Sequence, residues 1–221
     1  MRKRLGIMAV VLALFFALGC AASPEPEGLR EAFRDAAFRA EYDGGDVDML
    51  RRWERPLAVW IGGDATPEDM EGLREFVAQL NANVPGLPGV SVAQDKWKAD
   101  VRITLAPLRR LPDVQPGYVP GNWGFFHFTY DDYGAILEGD ISVASDVTTQ
   151  AERDHLIREE LTGALGLPND LDGHPDSIIH AAWTTTRELS ELDWALLGLL
   201  YDPRLAPGMT WLEAARALGW E

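Results

Sequence analysis

Residues 149–168 constrain the fold more than any other stretch of the chain. Thr149-Gln150-Ala151-Glu152 has the residue types of a capping box, in which a hydroxyl and an acid three places on each accept a backbone N–H of the other residue. Ile157, Leu161, Ala164 and Leu165 then share one helical face, and Gly166 and Pro168 end the helix near Leu167. A helix with one apolar stripe must bury it against another element. The partner on offer is a sheet. Alternating apolar residues predict strands over 55–62 (Leu57, Val59, Ile61), 90–93 and 101–106, and a hairpin of 123–130 with 135–144 around Asp131-Asp132-Tyr133-Gly134. Helical spacing predicts further helices over 27–41, 66–82 (capped by Thr66), 189–200 and 210–218, while 107–120 and 169–186 read as loop and irregular segment. The expectation is one α/β (or α+β) domain, a mixed sheet on a central helix, with helices at the C-terminal end.

Composition narrows the function classes. Among 221 residues, 47% are hydrophobic and 8 are Trp, too apolar and aromatic for a disordered chain. Twenty Lys+Arg against 35 Asp+Glu give a net charge of −15, which repels phosphates and argues against a nucleic-acid partner. A single cysteine leaves no internal disulfide and no paired-cysteine metal site.

That cysteine, Cys20, follows a basic Arg2-Lys3-Arg4 and an uncharged run over 5–19. The run is shorter than the roughly 20 residues that span a bilayer core and has the length of a secretory apolar region. Ala17-Leu18-Gly19-Cys20 resembles the bacterial lipobox, although the leucine sits one place later than usual. The resemblance implies a lipoprotein signal peptide over 1–19, a lipidated Cys20 with a flexible tether over 20–28, and a domain over 29–221. Loss of 1–19 removes three basic residues and leaves 17 against 35, a net −18, so lipid chains rather than protein charge would hold the domain to a membrane. By the same resemblance, Ala21 after the cysteine favours the outer membrane, with the domain in the periplasmic cell envelope.

The chemistry-bearing residues lie on the helix of the opening paragraph. His155, Glu159 and Gly163 stack one turn apart, and Glu160 borders them beside the apolar face. Glu159 and Glu160 are the candidate catalytic pair; a solvated acidic face is the plainer alternative. A carboxylate pair in a cleft calls for a basic residue from elsewhere in the fold or a cation. His155 and Glu159 with His174 or Asp172 could bind a metal, or His155 and Glu159 could be a simple i, i+4 surface pair. Asp170, Asp172 and Asp176 carry oxygen ligands suited to calcium but without the spacing of an EF-hand loop. His127 reads as a packed strand residue. Ser142, Ser145 and Ser177 lack the flanking glycines of a nucleophile elbow.

Glu159-Glu160-Leu161-Thr162-Gly163-Ala164-Leu165-Gly166-Leu167 resembles the active-site helix of the metzincin peptidases, particularly the matrixins. Their pattern is H-E-x-x-H-A-L-G-L with a third His two places later. There the histidines hold zinc, the glutamate activates its water, and the glycine turns the chain toward the third ligand. Glu160 matches the general base and Gly166 the turn glycine. The ligand positions fall on Glu159, Gly163 and Asn169, and Gly163 has no side chain with which to ligate. Ile179 in Asp176-Ser177-Ile178-Ile179-His180-Ala181 stands where the methionine turn places its methionine, and 189–201 resembles the closing matrixin helix. The resemblance implies a zincin-like fold over about 55–201 with a structural turn at Gly166, Asn169 and Asp170.

A closer resemblance is to the proteobacterial lipoproteins of domain-of-unknown-function family 2927. Trp53-Glu54-Arg55-Pro56-Leu57, Glu159-Glu160-Leu161-Thr162, Leu165-Gly166-Leu167-Pro168-Asn169-Asp170 and Leu199-Leu200-Tyr201-Asp202-Pro203-Arg204 carry it. Members usually keep the paired glutamates and have Gln at the place of Gly163. Two function classes remain open. One is a non-catalytic peptide- or protein-binding domain on a degenerate metzincin-like fold, with no cofactor and with extended peptides or envelope proteins as partners. The other is a hydrolase using Glu160 with a non-standard metal shell, zinc included. Gly163 favours the first.

Overall fold

The computed structural model of the chain describes residues 28–39, 49–115 and 117–220. The expected signal peptide, Cys20 and the tether up to residue 27 lie outside the described residues, as do both ends of the first expected helix. Among the described residues, no helix is long and apolar enough to cross a membrane.

The elements run α1 (Leu29–Phe38), β1 (Leu57–Gly63), α2 (Pro67–Asn83), β2 (Val90–Val92), β3 (Val101–Ala106), α3 (Leu111–Val114), β4 (Gly124–Tyr130), β5 (Ile136–Ala144), α4 (Gln150–Ala164), α5 (Glu191–Leu200) and α6 (Trp211–Leu218). Helix starts follow local chemistry. Thr66, Thr149, Ser190 and Thr210 each cap a helix with a reciprocal acid at the third position, Asp69, Glu152, Asp193 and Glu213.

The sheet order is β2-β1-β3-β5-β4. The first four strands are parallel, and β4 adds antiparallel to β5 as an edge strand. Ile61, Ile103, Ile141 and Phe126 stand in register across the sheet. The β4–β5 turn is the expected one: Gly134 N–H bonds the Asp131 carbonyl at 3.0 Å, with Gly134 at φ 83°. Helix α4 packs on β4, β5 and α2. Its buried Ile157, Leu161 and Ala164, and Leu165 just beyond, join Trp53, Phe76, Ile103, Leu196 and Leu200 in the main core. The mixed sheet, the edge strand beside a central helix and the following helices are the architecture expected from the sequence.

Three boundaries differ from the sequence expectation. Residues 107–120 are not wholly loop: a 3-10 turn, Leu108–Arg110, leads into α3. Leu111 is fully buried with Ala106 and Ala144 in a small satellite core, and Gln115 donates to the Asp140 carbonyl at 3.1 Å, so this segment has its own anchor on β5. Helix α4 stops at Ala164 rather than near Leu167 because Leu165 N–H is shared between the Leu161 and Thr162 carbonyls, which tightens the last turn, and Gly166 then takes φ 122°. Helix α5 starts at Glu191 because the Ser190 cap fixes it there.

The segments that carry the closer family resemblance converge on this helix end. Trp53 Nε1–H donates to the Ala164 carbonyl at 3.0 Å, and the Tyr201 hydroxyl donates to the Leu165 carbonyl at 2.9 Å. The last carbonyls of a helix have no partner within it, and these two side chains supply partners in the buried interior. Burial pushes the Tyr201 hydroxyl pKa well above its ordinary value, so it remains a donor at any physiological pH.

Candidate functional site

A cleft of about 480 Å³ opens between α4 and the start of β4. Gly121 to Phe126 form one wall, and α4 supplies Leu156, Glu159, Glu160 and Gly163. Pro168, Asp170, Ile179, Ala181 and Trp183 close it from the segment after the helix. The paired glutamates thus sit in a cleft between the helix and the 169–181 segment, rather than on a solvated face. Glu160 is 9% exposed, and a Cβ on Gly124 would collide with its carboxylate, so the edge strand passes close only because residue 124 is glycine.

The place of the middle zinc ligand is filled from the sheet. A Cβ built on Gly163 would lie 2.5 Å from Cε1 and 2.8 Å from Cζ of Phe126. The Phe126 ring therefore occupies the space into which a ligating side chain at 163 would extend. Asn169 is also committed, with Nδ2 donating to the Asp170 carbonyl at 2.8 Å and its backbone N–H bonding the Ala36 carbonyl at 3.2 Å. Glu159 Oε2 lies 3.3 Å from His155 Nε2. The residues at the three ligand positions do not fit a metzincin zinc shell.

The chain turns at Gly166, just past the end of α4. A Cβ on Gly166 would collide with the Arg51 carbonyl oxygen at a positive φ that L-residues rarely adopt, so this turn requires glycine. Downstream, Asp193, fully buried, accepts from the Ser177 hydroxyl at 2.6 Å, the Ile178 N–H at 2.9 Å, and the Ser190 N–H and hydroxyl, both at 2.8 Å. This carboxylate clamps 177–178 to the start of α5 and sets Ile179, 2% exposed, as part of the cleft wall.

The glutamate pair was expected to draw a basic residue from elsewhere in the fold or a cation; Glu159 pairs with His155 of its own helix. Arg158 is occupied on the other side, donating to Gln79 at 3.1 Å with its guanidinium 5.0 Å from the Phe76 ring centre. His155 is 2% exposed. Its Nδ1 is 2.7 Å from the Thr186 carbonyl, which can only accept, so Nδ1 carries a proton. Nε2 then faces the Glu159 carboxylate and needs a second proton to bond it. Burial opposes the charged ring, but the Glu159 hydrogen bond and charge, the Thr186 carbonyl and the charge of Asp170 outweigh it and raise the pKa. A raised folded-state pKa adds stability that is fully present below the ordinary histidine value of about 6.5 and is lost as pH rises through the folded value. Urea melts of the wild type and of His155→Gln should therefore differ more at pH 6 than at pH 8.5. Equal differences at both would contradict the charged pair.

The other sequence candidates do not assemble. Among the described residues, no three His, Cys, Asp or Glu side chains form a group that could hold a metal ion. His174 is half-buried in the loop, where its carbonyl accepts from Ser177 N–H at 3.0 Å. Asp172 and Asp176 are exposed, while Asp170 alone of the three lines the cleft. His127 is exposed on β4 opposite Asp140, not packed, because the β4 pleat turns it to the open face. The sequence reading missed Phe126, Trp123, Gly124 and Trp183. The Trp123 and Trp183 rings meet edge to face at 5.1 Å, and His155 lies 5.9 Å from Trp183. Alternation marked Phe126 as a strand residue, and nothing local in 169–186 marks Trp183.

Fold and site together define a mixed α/β domain with an acidic, aromatic-walled cleft in which, among the described residues, no metzincin ligand set is assembled. The chain belongs to the family described as "Protein of unknown function (DUF2927)", whose model matches residues 26–219. Two solved structures of myroilysin are similar to it. Each is 11% identical; one has a TM-score of 0.43 over 70% of this chain and 97% of that chain, the other 0.47 over 77% and 93%. No curated protein matches.

Proposed function

We propose that this chain is a lipid-anchored protein of the bacterial cell envelope whose α4–β4 cleft holds an extended segment of peptide or protein without cutting it. The observation that carries the reading is the Phe126 ring in the space of a side chain at position 163, within an otherwise open cleft. An edge strand beside a cleft suits a partner that adds as a further strand and places alternate side chains into the cavity. Among the described residues no three His, Cys, Asp or Glu side chains group as metal ligands around it, and Glu160 takes a polar binding role in this reading.

Location rests on the leader-like 1–19, on Cys20 and on Ala21, which favour an outer-membrane anchor with the domain facing the periplasm. Cys20→Ser is expected to move the protein from the membrane fraction to the soluble fraction, or to leave an unprocessed precursor. Unchanged processing and fractionation would contradict the anchor.

The binding reading is tested by incubating the full chain with a library of blocked extended hexapeptides. Bound peptide is detected by Trp fluorescence and the library is then weighed by mass spectrometry. The expected result is saturable binding with every peptide recovered intact. Cleavage lost in Glu160→Gln and retained in the exposed control Trp97→Ala would establish a hydrolase instead.

A further inference from the structure

We infer that the Lys96-Trp97-Lys98 turn docks on an anionic lipid surface and sets how the anchored domain stands on it; the inference rests on the lipid-anchor reading above. Trp97 is 89% exposed, the most exposed large apolar side chain among the described residues. Lysine occurs three times in the chain, at positions 3, 96 and 98, so both lysines of the domain flank this ring. Against 35 Asp+Glu, that placement makes the turn a local exception to an acidic surface. The carboxylates beside the lysines are directed elsewhere. Asp95 accepts the Trp97 N–H at 3.0 Å, and Asp100 accepts from Arg55 at 2.7 Å and from the Ala58 N–H at 2.8 Å. The turn is held at both ends on β1: Ala93 N–H bonds the Val59 carbonyl at 2.8 Å before it, and the Asp100 bonds fix it behind. Lys96 also places its ammonium 5.3 Å from the Trp60 ring centre.

An indole held out on a fixed turn adds little to the core. Tryptophan favours the boundary of lipid and water, where its ring meets the acyl region and its N–H stays wet, and lysine ammoniums reach anionic headgroups. Contacts join this end of the sheet to the start of the domain. The Asp100 carbonyl accepts the Gly139 N–H at 2.9 Å, and the nearby Leu137 and Tyr133 are exposed. A Cβ on Gly208 would lie 2.8 Å from the Tyr133 carbonyl oxygen, and Gly208 leads into α6, whose Trp211 ring lies 6.0 and 5.9 Å from the Arg30 and Arg34 guanidiniums of α1. Cys20 is eight residue steps from Gly28, a reach of at most about 28 Å. That is less than the width of a domain of this size, roughly 40 Å. A lipid at Cys20 therefore keeps the start of α1 near the bilayer. The acidic surface is repelled by anionic headgroups, and the lysine-flanked ring is the part of this end that suits them.

The test uses the chain purified from bacterial membranes and reconstituted into vesicles of phosphatidylcholine with or without phosphatidylglycerol, each with plain or acyl-brominated lipid. None of the eight tryptophans precedes residue 53, so the anchoring segment adds nothing to the tryptophan signal. Trp97 emission is read as wild type minus Trp97→Phe, a variant that leaves the α4–β4 cleft lining intact. With phosphatidylglycerol present, that emission is expected to shift to the blue and to lose at least about half its intensity to bromine. High salt, or Lys96→Gln with Lys98→Gln, should reverse most of the loss while the protein still floats with the vesicles. Flotation with no bromine effect on Trp97 would overturn the lipid contact and leave the anchor standing. Failure of the wild type to float would overturn the anchor reading and this inference with it. A blue shift without bromine quenching, together with cross-linked dimers that Trp97→Phe lacks, would assign the ring to a second copy and overturn the lipid contact.

Discussion

Replacing Trp53 with alanine is expected to destabilise the protein by about 3–5 kcal/mol, the range for removing a large buried aromatic. Trp53 is fully buried in the main core, and its indole N–H satisfies the Ala164 carbonyl at the end of α4. Alanine would leave both a cavity and an unpaired carbonyl in the interior. Trp53→Phe separates the two effects, because it keeps most of the apolar volume and loses the hydrogen bond, which is worth about 1 kcal/mol. Urea unfolding followed by circular dichroism reads both variants. The midpoint should fall with an unchanged slope if the native and unfolded ensembles keep their exposed areas. A loss under about 1 kcal/mol in Trp53→Ala would mean that the helix end does not depend on this residue.

The second large effect is expected at Asp193. Its buried carboxylate gathers donors from Ser177, Ile178 and Ser190. Asp193→Ala leaves those donors unsatisfied and removes the α5 cap, a combined cost of about 3–4 kcal/mol. Asp193→Asn keeps one acceptor oxygen and should lose less. Because Asp193 fixes 177–178, and through them Ile179 in the cleft wall, ligand binding should weaken in Asp193→Asn even where the fold survives. Full binding in a folded Asp193→Asn protein would show that the wall does not depend on this clamp.

How much of this was readable from the residue order depends on the range of the interaction. Helix starts are local, three residues from cap to reciprocal acid, and Thr66 and Thr149 were both legible. Gly166 was legible because its turn needs a backbone conformation that only glycine adopts readily. The helical repeat placed Ile157, Leu161, Ala164 and Leu165 in the core, where they lie. The short α3 was not legible, since a run with Pro107, Pro112, Pro116 and Pro120 reads as loop until the burial of Leu111 against β5 is seen. At the site, the carboxylates were found by their helical spacing, but what surrounds them was not. The contact of Phe126 with Gly163 joins a strand to a helix, and Trp183 reaches Trp123 from an irregular segment. Neither contact leaves a periodic trace. Gly163 was recognised as unable to ligate, whereas its structural reason, room for the Phe126 ring, appeared only in three dimensions.

The account turns on that ring. Elemental analysis of the full chain, purified without added metal or chelator and compared with its own dialysis buffer, tests it most directly. The account predicts zinc at buffer level, far below one atom per chain. One tightly held zinc per chain would contradict it, because a ligand set would then have assembled in spite of Gly163 and the Phe126 ring packed against it.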